Sequence, residues 1–218
     1  MRIGFEVRNL PSNEKEALFK MTNQVSFDPA RSAVLSMDLQ SAIVSIYTQG
    51  KGDLLVRAAS VLKKSRAAGM SILHVQVGFR PGCPEISTRN SLFGAIKNSV
   101  QHRQIFEGEA GAIHPAVAPE GEDMVVIKHR ISAFAGTDLE MILRARDIDT
   151  LVLFGIATSG VVLSTLLHAC DADYRLVIIG DCCADLEADV HTCLVEKFFP
   201  KRGTVMSAAE FEEALESR

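Results

Sequence analysis

The sequence predicts a doubly wound, Rossmann-like α/β fold, a parallel six-stranded sheet with helices on both faces. Three observations carry this expectation. Six apolar runs rich in β-branched residues recur along the chain, and helix-length segments alternate with them. The runs are continuous rather than alternating, which is the pattern of strands covered on both sides. Strand, helix, strand repetition with right-handed crossovers winds such a chain into one sheet. A length of 218 residues suits one sizeable domain. That domain is taken as residues 31–218, and residues 1–30, of mixed polarity and closed by "FDPARS", read as an N-terminal extension.

Taken in order, the first strand is "AVLSM" (33–37). "DLLVRAASVLKKSRAAG" (53–69) follows as a helix, opening on Asp53 as a cap and closing on Gly69. The second strand is "SILHVQV" (71–77). Residues 79–122 then break the rhythm with Gly82, Pro84, Gly94, Gly108, Gly111, Pro115, Pro119 and Gly121. This excursion leaves a strand end, where open α/β sheets bind ligands, so it reads either as a pocket wall or as a surface loop holding one helix. The alternation resumes with strands "MVVIK" (124–128), "TLVLFG" (150–155), "RLVIIG" (175–180) and "GTVMS" (203–207). The helical segments between them are "TDLEMILRARD", "GVVLSTLLHACDAD" and "DVHTCLVEKFF".

Bulk properties narrow the function. With 47% hydrophobic and 23% charged residues the composition is that of a globular protein. A formal net charge of -4 leaves no basic footprint for nucleic acid or an anionic membrane, so a small molecule or a protein is the expected partner. The first twenty residues lack the apolar core of a signal peptide and no run is long enough to span a bilayer; a cytoplasmic location is the expectation. Cys83, Cys170, Cys182, Cys183 and Cys193 form no CxxC pair and are odd in number. They read as free thiols of a reducing compartment.

Candidate site residues stand at the strand ends. Asp38 directly follows the first strand and Lys128 ends "MVVIK". In one pocket each would shift the other's protonation. A third element is "GIATSGVVLST" (155–165), which leaves an apolar strand, passes a glycine-flanked loop and enters a helix. Such a turn presents a reactive side chain at its tip, yet the residue there is Val161.

The segments "VLSMDLQ", "VVIKHRISAFAGTDLEMILRARDIDTLVLFGIATSGVVLST" and "VIIGDCCAD" resemble the isochorismatase-like hydrolases, the cysteine hydrolase superfamily of nicotinamidases, carbamoylsarcosine amidohydrolases and isochorismatases. The likeness runs from about Arg31 to the last strand near Met206. It implies a catalytic Asp, Lys and Cys at the positions of Asp38, Lys128 and Val161, with the thiolate favoured by a helix start and the lysine. It also implies an oxyanion site from the backbone N–H groups of Ala157 and Val161, and a cis peptide between Ile156 and Ala157. Dimers or tetramers are implied as well.

The chain departs from that pattern in two places. Valine has no nucleophilic atom, so the thiol chemistry cannot run at residue 161. The Asp-x-His of nicotinamidases is missing after "LHVQV", His74 reads as a core histidine, and His114 as a structural one, so no metal and no other cofactor is expected. Cys170, nine residues beyond Val161 and roughly 13 Å along a helix, reads as core. Thr158 and Ser159 have no base within the motif. Cys182 and Cys183 leave the neighbouring strand and are the remaining sources of a displaced thiol.

Isochorismatases resembling this chain carry glycine at the cysteine position and use the aspartate as an acid. The favoured reading is therefore hydrolysis of a small molecule by acid/base catalysis with Asp38 and Lys128, since both charges are retained. The alternative is a catalytically inactive member that binds a metabolite or a protein.

Overall fold

The computed structural model describes residues 28–48 and 53–217. The expected N-terminal extension therefore lies outside the described residues, apart from its last three positions. Chain order is β1 (Ser32–Met37), α1 (Ser41–Thr48), α2 (Leu54–Ala67), β2 (Ser71–Val77), α3 (Ser91–Asn98), α4 (Val100–Gln104), α5 (Gly108–Gly111), β3 (Met124–Lys128), α6 (Leu139–Ala145), β4 (Thr150–Gly155), α7 (Leu163–Asp171), β5 (Arg175–Ile179), α8 (Ala188–Cys193), β6 (Thr204–Met206) and α9 (Ala208–Glu216). The six strands form one sheet in the order β3-β2-β1-β4-β5-β6, and every pairing is parallel. The fold class read from the sequence is the observed one.

Every residue of β1 and β4 is buried, as their continuous apolar runs require of central strands. Leu35, Leu151, Leu153 and Phe154 are shielded from solvent, each contributing about 1.5–3 kcal/mol relative to exposure. Order reverses between β1 and β4, so the crevice at their carboxyl ends is where this architecture binds ligands.

The expectation that every strand is covered on both faces fails at β3. This strand is an edge, and Val125 and Ile127 are 45% and 52% exposed while Val126 and Lys128 are buried. Apolar residues on both faces mimicked a central strand, although among the described residues Val125 and Ile127 lie on an open face. Asp53 stands at the start of α2 but makes no side-chain cap bond. Residues 79–122 hold three short helices, two of them capped by side chains, with Asn90 accepting from Phe93 N and Ser99 from His102 N.

Candidate functional site

Asp38 leaves β1 in a left-handed conformation (φ 54°) that Asp tolerates better than most residues, and its N–H donates to Val75 O at 2.7 Å. This kink turns the carboxylate out of the strand line and across the end of β2. Lys128 ends β3, on the far side of β2, in register with Val77. Strands two apart are separated by about 10 Å, a gap that the flexible four-carbon lysine stem closes. Lys128 Nζ reaches Asp38 Oδ2 at 2.8 Å and also donates to Arg130 O at 3.1 Å. The two side chains are 4% and 8% exposed. Asp38 Oδ1 is buried with no hydrogen-bond partner among the described residues. Burial pushes the Asp38 carboxyl above the ordinary range, and the adjacent Lys128 opposes that rise without cancelling it.

Gly155 brings β4 to the same place. At φ 146° its missing Cβ would lie 2.0 Å from Met37 O, so only glycine lets the strand end pass this close to β1. Ile156 N–H donates to Met37 O at 3.1 Å, and the Ile156–Ala157 peptide is cis. The chain does not enter an α-helix directly. A π-type turn spans Thr158–Val162 before α7 begins, with Val161 buried inside it. The segment after β5 holds this turn from the side. Thr158 N–H donates to Ala184 O at 2.9 Å, and Ser159 N–H to Asp185 Oδ2 at 2.7 Å. Thr158 Oγ1 and His191 Nδ1 are 2.8 Å apart.

Asp38, Lys128, Ile156, Ala157 and Val161 all line one pocket of about 330 Å³. Ile43, Ile46 and Tyr47 of α1 supply one wall, and Leu92, Phe93 and Ile96 of α3, with Ile105 and Phe106, another. Residues 79–122 are thus a wall of the pocket rather than a surface loop. Phe79 backs that wall edge-on to Phe93 and Phe106, at 6.0 and 5.5 Å between ring centroids. Burial, then the Asp185 and Asp38 charges, raise the Tyr47 phenol, so it stays protonated at neutral pH.

Several lining and positioning residues were not anticipated from sequence. Gln40 is fully buried: its Nε2 donates to Val77 O at 3.0 Å and to Gly111 O at 2.6 Å, and Val77 N–H donates to its Oε1 at 2.9 Å. Thr158, which has no base within its own motif, meets His191 from 33 residues away, and it is buried outside the pocket lining. Cys182 and Cys183 do not line the pocket either. Cys183 Sγ donates to Ile179 O, and burial pushes its pKa up to about 12; burial also raises Cys182. His74 lies in the core as expected, with Nε2 3.1 Å from Asp123 Oδ2, while Nδ1 has no partner among the described residues. His114 Nδ1 accepts from Ala116 N–H.

A parallel, doubly wound sheet with a carboxylate, a lysine and a glycine-flanked turn gathered at its carboxyl edge defines a class of α/β proteins that hold small molecules at strand ends. Comparison with known proteins narrows the class. The isochorismatase domain model matches residues 32–210. The ureidoacrylate amidohydrolase RutB of Methylobacterium radiotolerans is 31% identical, over 88% of this chain and 82% of that protein. The maleamate amidohydrolase of Pseudomonas putida is 25% identical, over 85% and 87%. The structure of an isochorismatase family protein from Burkholderia thailandensis superposes with a TM-score of 0.75 at 31% identity, covering 88% of this chain and 98% of that one. This chain belongs to the isochorismatase family.

Proposed function

We propose that this chain hydrolyses a small amide-type substrate by acid/base catalysis through Asp38 and Lys128, with Val161 standing where cysteine hydrolases of the family carry their nucleophile. The observation that carries the reading is the buried Asp38–Lys128 pair, which lines one pocket together with Val161. The relatives named for amide hydrolysis, ureidoacrylate and maleamate amidohydrolases, support the bond type.

In this reading the Asp38 carboxylate takes a proton from water as the oxygen attacks the carbonyl carbon. The carbonyl π electrons move onto oxygen, and the N–H groups of Ala157 and Val161, both residues of the pocket lining, hold the resulting oxyanion. Collapse re-forms the carbonyl and breaks the C–N bond. Asp38 returns its proton to the leaving nitrogen, and water, amide, acid and amine balance. Lys128 holds the carboxylate in place and opposes the effect of burial. No thiol takes part. The family domain is proposed to span residues 31–218, consistent with the matched range.

The test is turnover of a panel of carboxamides by wild type and Asp38→Asn. A loss of about 10²–10⁴-fold in kcat, with ligand binding retained and no effect of iodoacetamide on wild type, is expected. Undiminished turnover in Asp38→Asn would remove Asp38 from the mechanism. Binding without turnover in wild type would favour a binding protein, the reading that the inert Val161 otherwise supports.

A further inference from the structure

The side chains that line the pocket are apolar except those of Asp38, Lys128 and Tyr47. Building on the reading of this pocket as the substrate site, we propose that it selects an uncharged ligand with an alkyl or aryl body and one carboxamide, and rejects amides that also carry a carboxylate. The structure supplies three independent reasons.

The first is charge. Among the described lining residues Lys128 is the one cation, and it is already paired with Asp38 at 2.8 Å. The nearest arginine along the chain, Arg130, does not replace it. Its guanidinium donates to His129 O at 2.6 Å and Glu85 O at 2.8 Å, and lies against the Phe93 ring. A ligand carboxylate entering the pocket would lose its hydration without gaining a counterion, and would face the Asp38 carboxylate.

The second reason is the Asp38 carboxylate, an acceptor that lines the pocket beside Lys128. A carboxamide brings two N–H donors to it. A carboxylate brings none.

The third is shape and polarity. Ile46 and Leu92 at the pocket are 43% and 54% exposed, and with Phe93, Phe106 and Val161 they offer apolar surface that a hydrocarbon body would cover. Transfer of each further methylene into such surroundings tightens binding about three- to four-fold. Ureidoacrylate and maleamate, named for two of the relatives, each carry a carboxylate beside the amide and little hydrocarbon. This pocket is matched to neither property.

The experiment is calorimetric titration of the full chain at pH 7 with hexanamide, hexanoate, acetamide and maleamate, with turnover of the amides followed separately. Hexanamide is expected to bind at least ten-fold more tightly than hexanoate or maleamate, and about 100-fold more tightly than acetamide. Ile46→Arg, which adds a cation on a partly exposed helix face, should bring hexanoate to within about three-fold of hexanamide. Leu92→Asp should weaken hexanamide at least ten-fold while leaving the unfolding midpoint near that of wild type. Equal or tighter binding of hexanoate or maleamate, affinity indifferent to chain length, or no binding of hexanamide would each overturn the proposal. Tight, chain-length-dependent hexanamide binding without cleavage would sink the hydrolase reading and keep the ligand class. Preferred cleavage of maleamate would do the reverse.

Discussion

The two ends of β3 hold two buried carboxylates in opposite conditions. Asp123, at the amino end, is saturated. Arg66 donates to both of its oxygens, through Nε at 3.2 and 3.1 Å and through NH2 at 2.5 Å. Glu120 N–H at 3.0 Å and His74 Nε2 at 3.1 Å complete the set. Burial works to raise its pKa, but those donors together outweigh it and hold the carboxyl below the ordinary range. Asp38, bound to Lys128 from the carboxyl end of the same strand, has a raised pKa because burial outweighs Lys128 and the Val77 N–H, which both act to lower it. A fully donated carboxylate is held in its charged form, whereas one that burial leaves short of donors is pushed toward its neutral form. Asp38 is the more deeply buried residue and Asp123 has the fuller set of donors, and both differences drive the two pKa values apart.

The largest expected effect comes from removing the paired cation. Lys128→Met should cost about 3–5 kcal/mol in urea unfolding at pH 7, because Asp38 would be left buried without its counterion. Lys128→Met with Asp38→Asn should recover most of that. Arg66→Met should cost less, about 1.5–3 kcal/mol, since Asp123 keeps His74 and the Glu120 N–H. A greater loss for Arg66→Met than for Lys128→Met would break the comparison.

Stability against pH sharpens it. The folded pKa of Asp38 lies above 3.8, so the folded state holds the extra proton between the two values, and stability falls as pH rises through that window. The folded pKa of Asp123 lies below 3.8; its contribution is complete above 3.8 and is lost as pH falls through the folded value. Subtracting urea stabilities of Asp38→Asn and of Asp123→Asn from wild type, from pH 3 upward, should therefore give slopes of opposite sign. Slopes of the same sign would show that burial and donor set do not separate the two carboxylates.

The smallest effect belongs to His74. Its folded pKa lies below 6.5, burial acting downward against Asp123, so the unfolded chain takes the proton first. Stability is then lost as pH falls from 6.5 through the folded value. His74→Gln should cost about 1 kcal/mol at pH 7 and flatten that acid-side loss. An unchanged pH profile would separate His74 from the Asp123 cluster.

Sequence made the strands legible because β1 and β4 are central, and burial on both faces writes itself as an unbroken apolar run. The same rule misread β3, since edge or centre is decided by strand order, which no local pattern records. The positions of Asp38 and Lys128 at strand ends followed from the strands themselves. Three features did not. Gln40, a polar residue just after an apolar strand, looks like a solvated one, and its partners are 37 and 71 residues away. His191 meets Thr158 only through the packing of α8 against the turn. Tyr47 and the hydrophobic wall of α3 converge on the pocket from separate segments, so its apolar character is a property of assembly.

The buried amide of Gln40 has a kinetic consequence. Its bonds join the end of β2 to Gly111, at the end of the helical wall, through one side chain in one plane. Lifting the wall from the sheet edge at Gly111 breaks one of the two bonds donated by the same amide nitrogen that holds Val77 O. Local opening of the pocket is thereby tied to the amide of Val77, a residue of the sheet, and the two should behave as one cooperative unit in hydrogen exchange rather than as a rigid core beside a fraying loop. A ligand that settles against the wall would slow exchange at Val77 without touching that residue's amide.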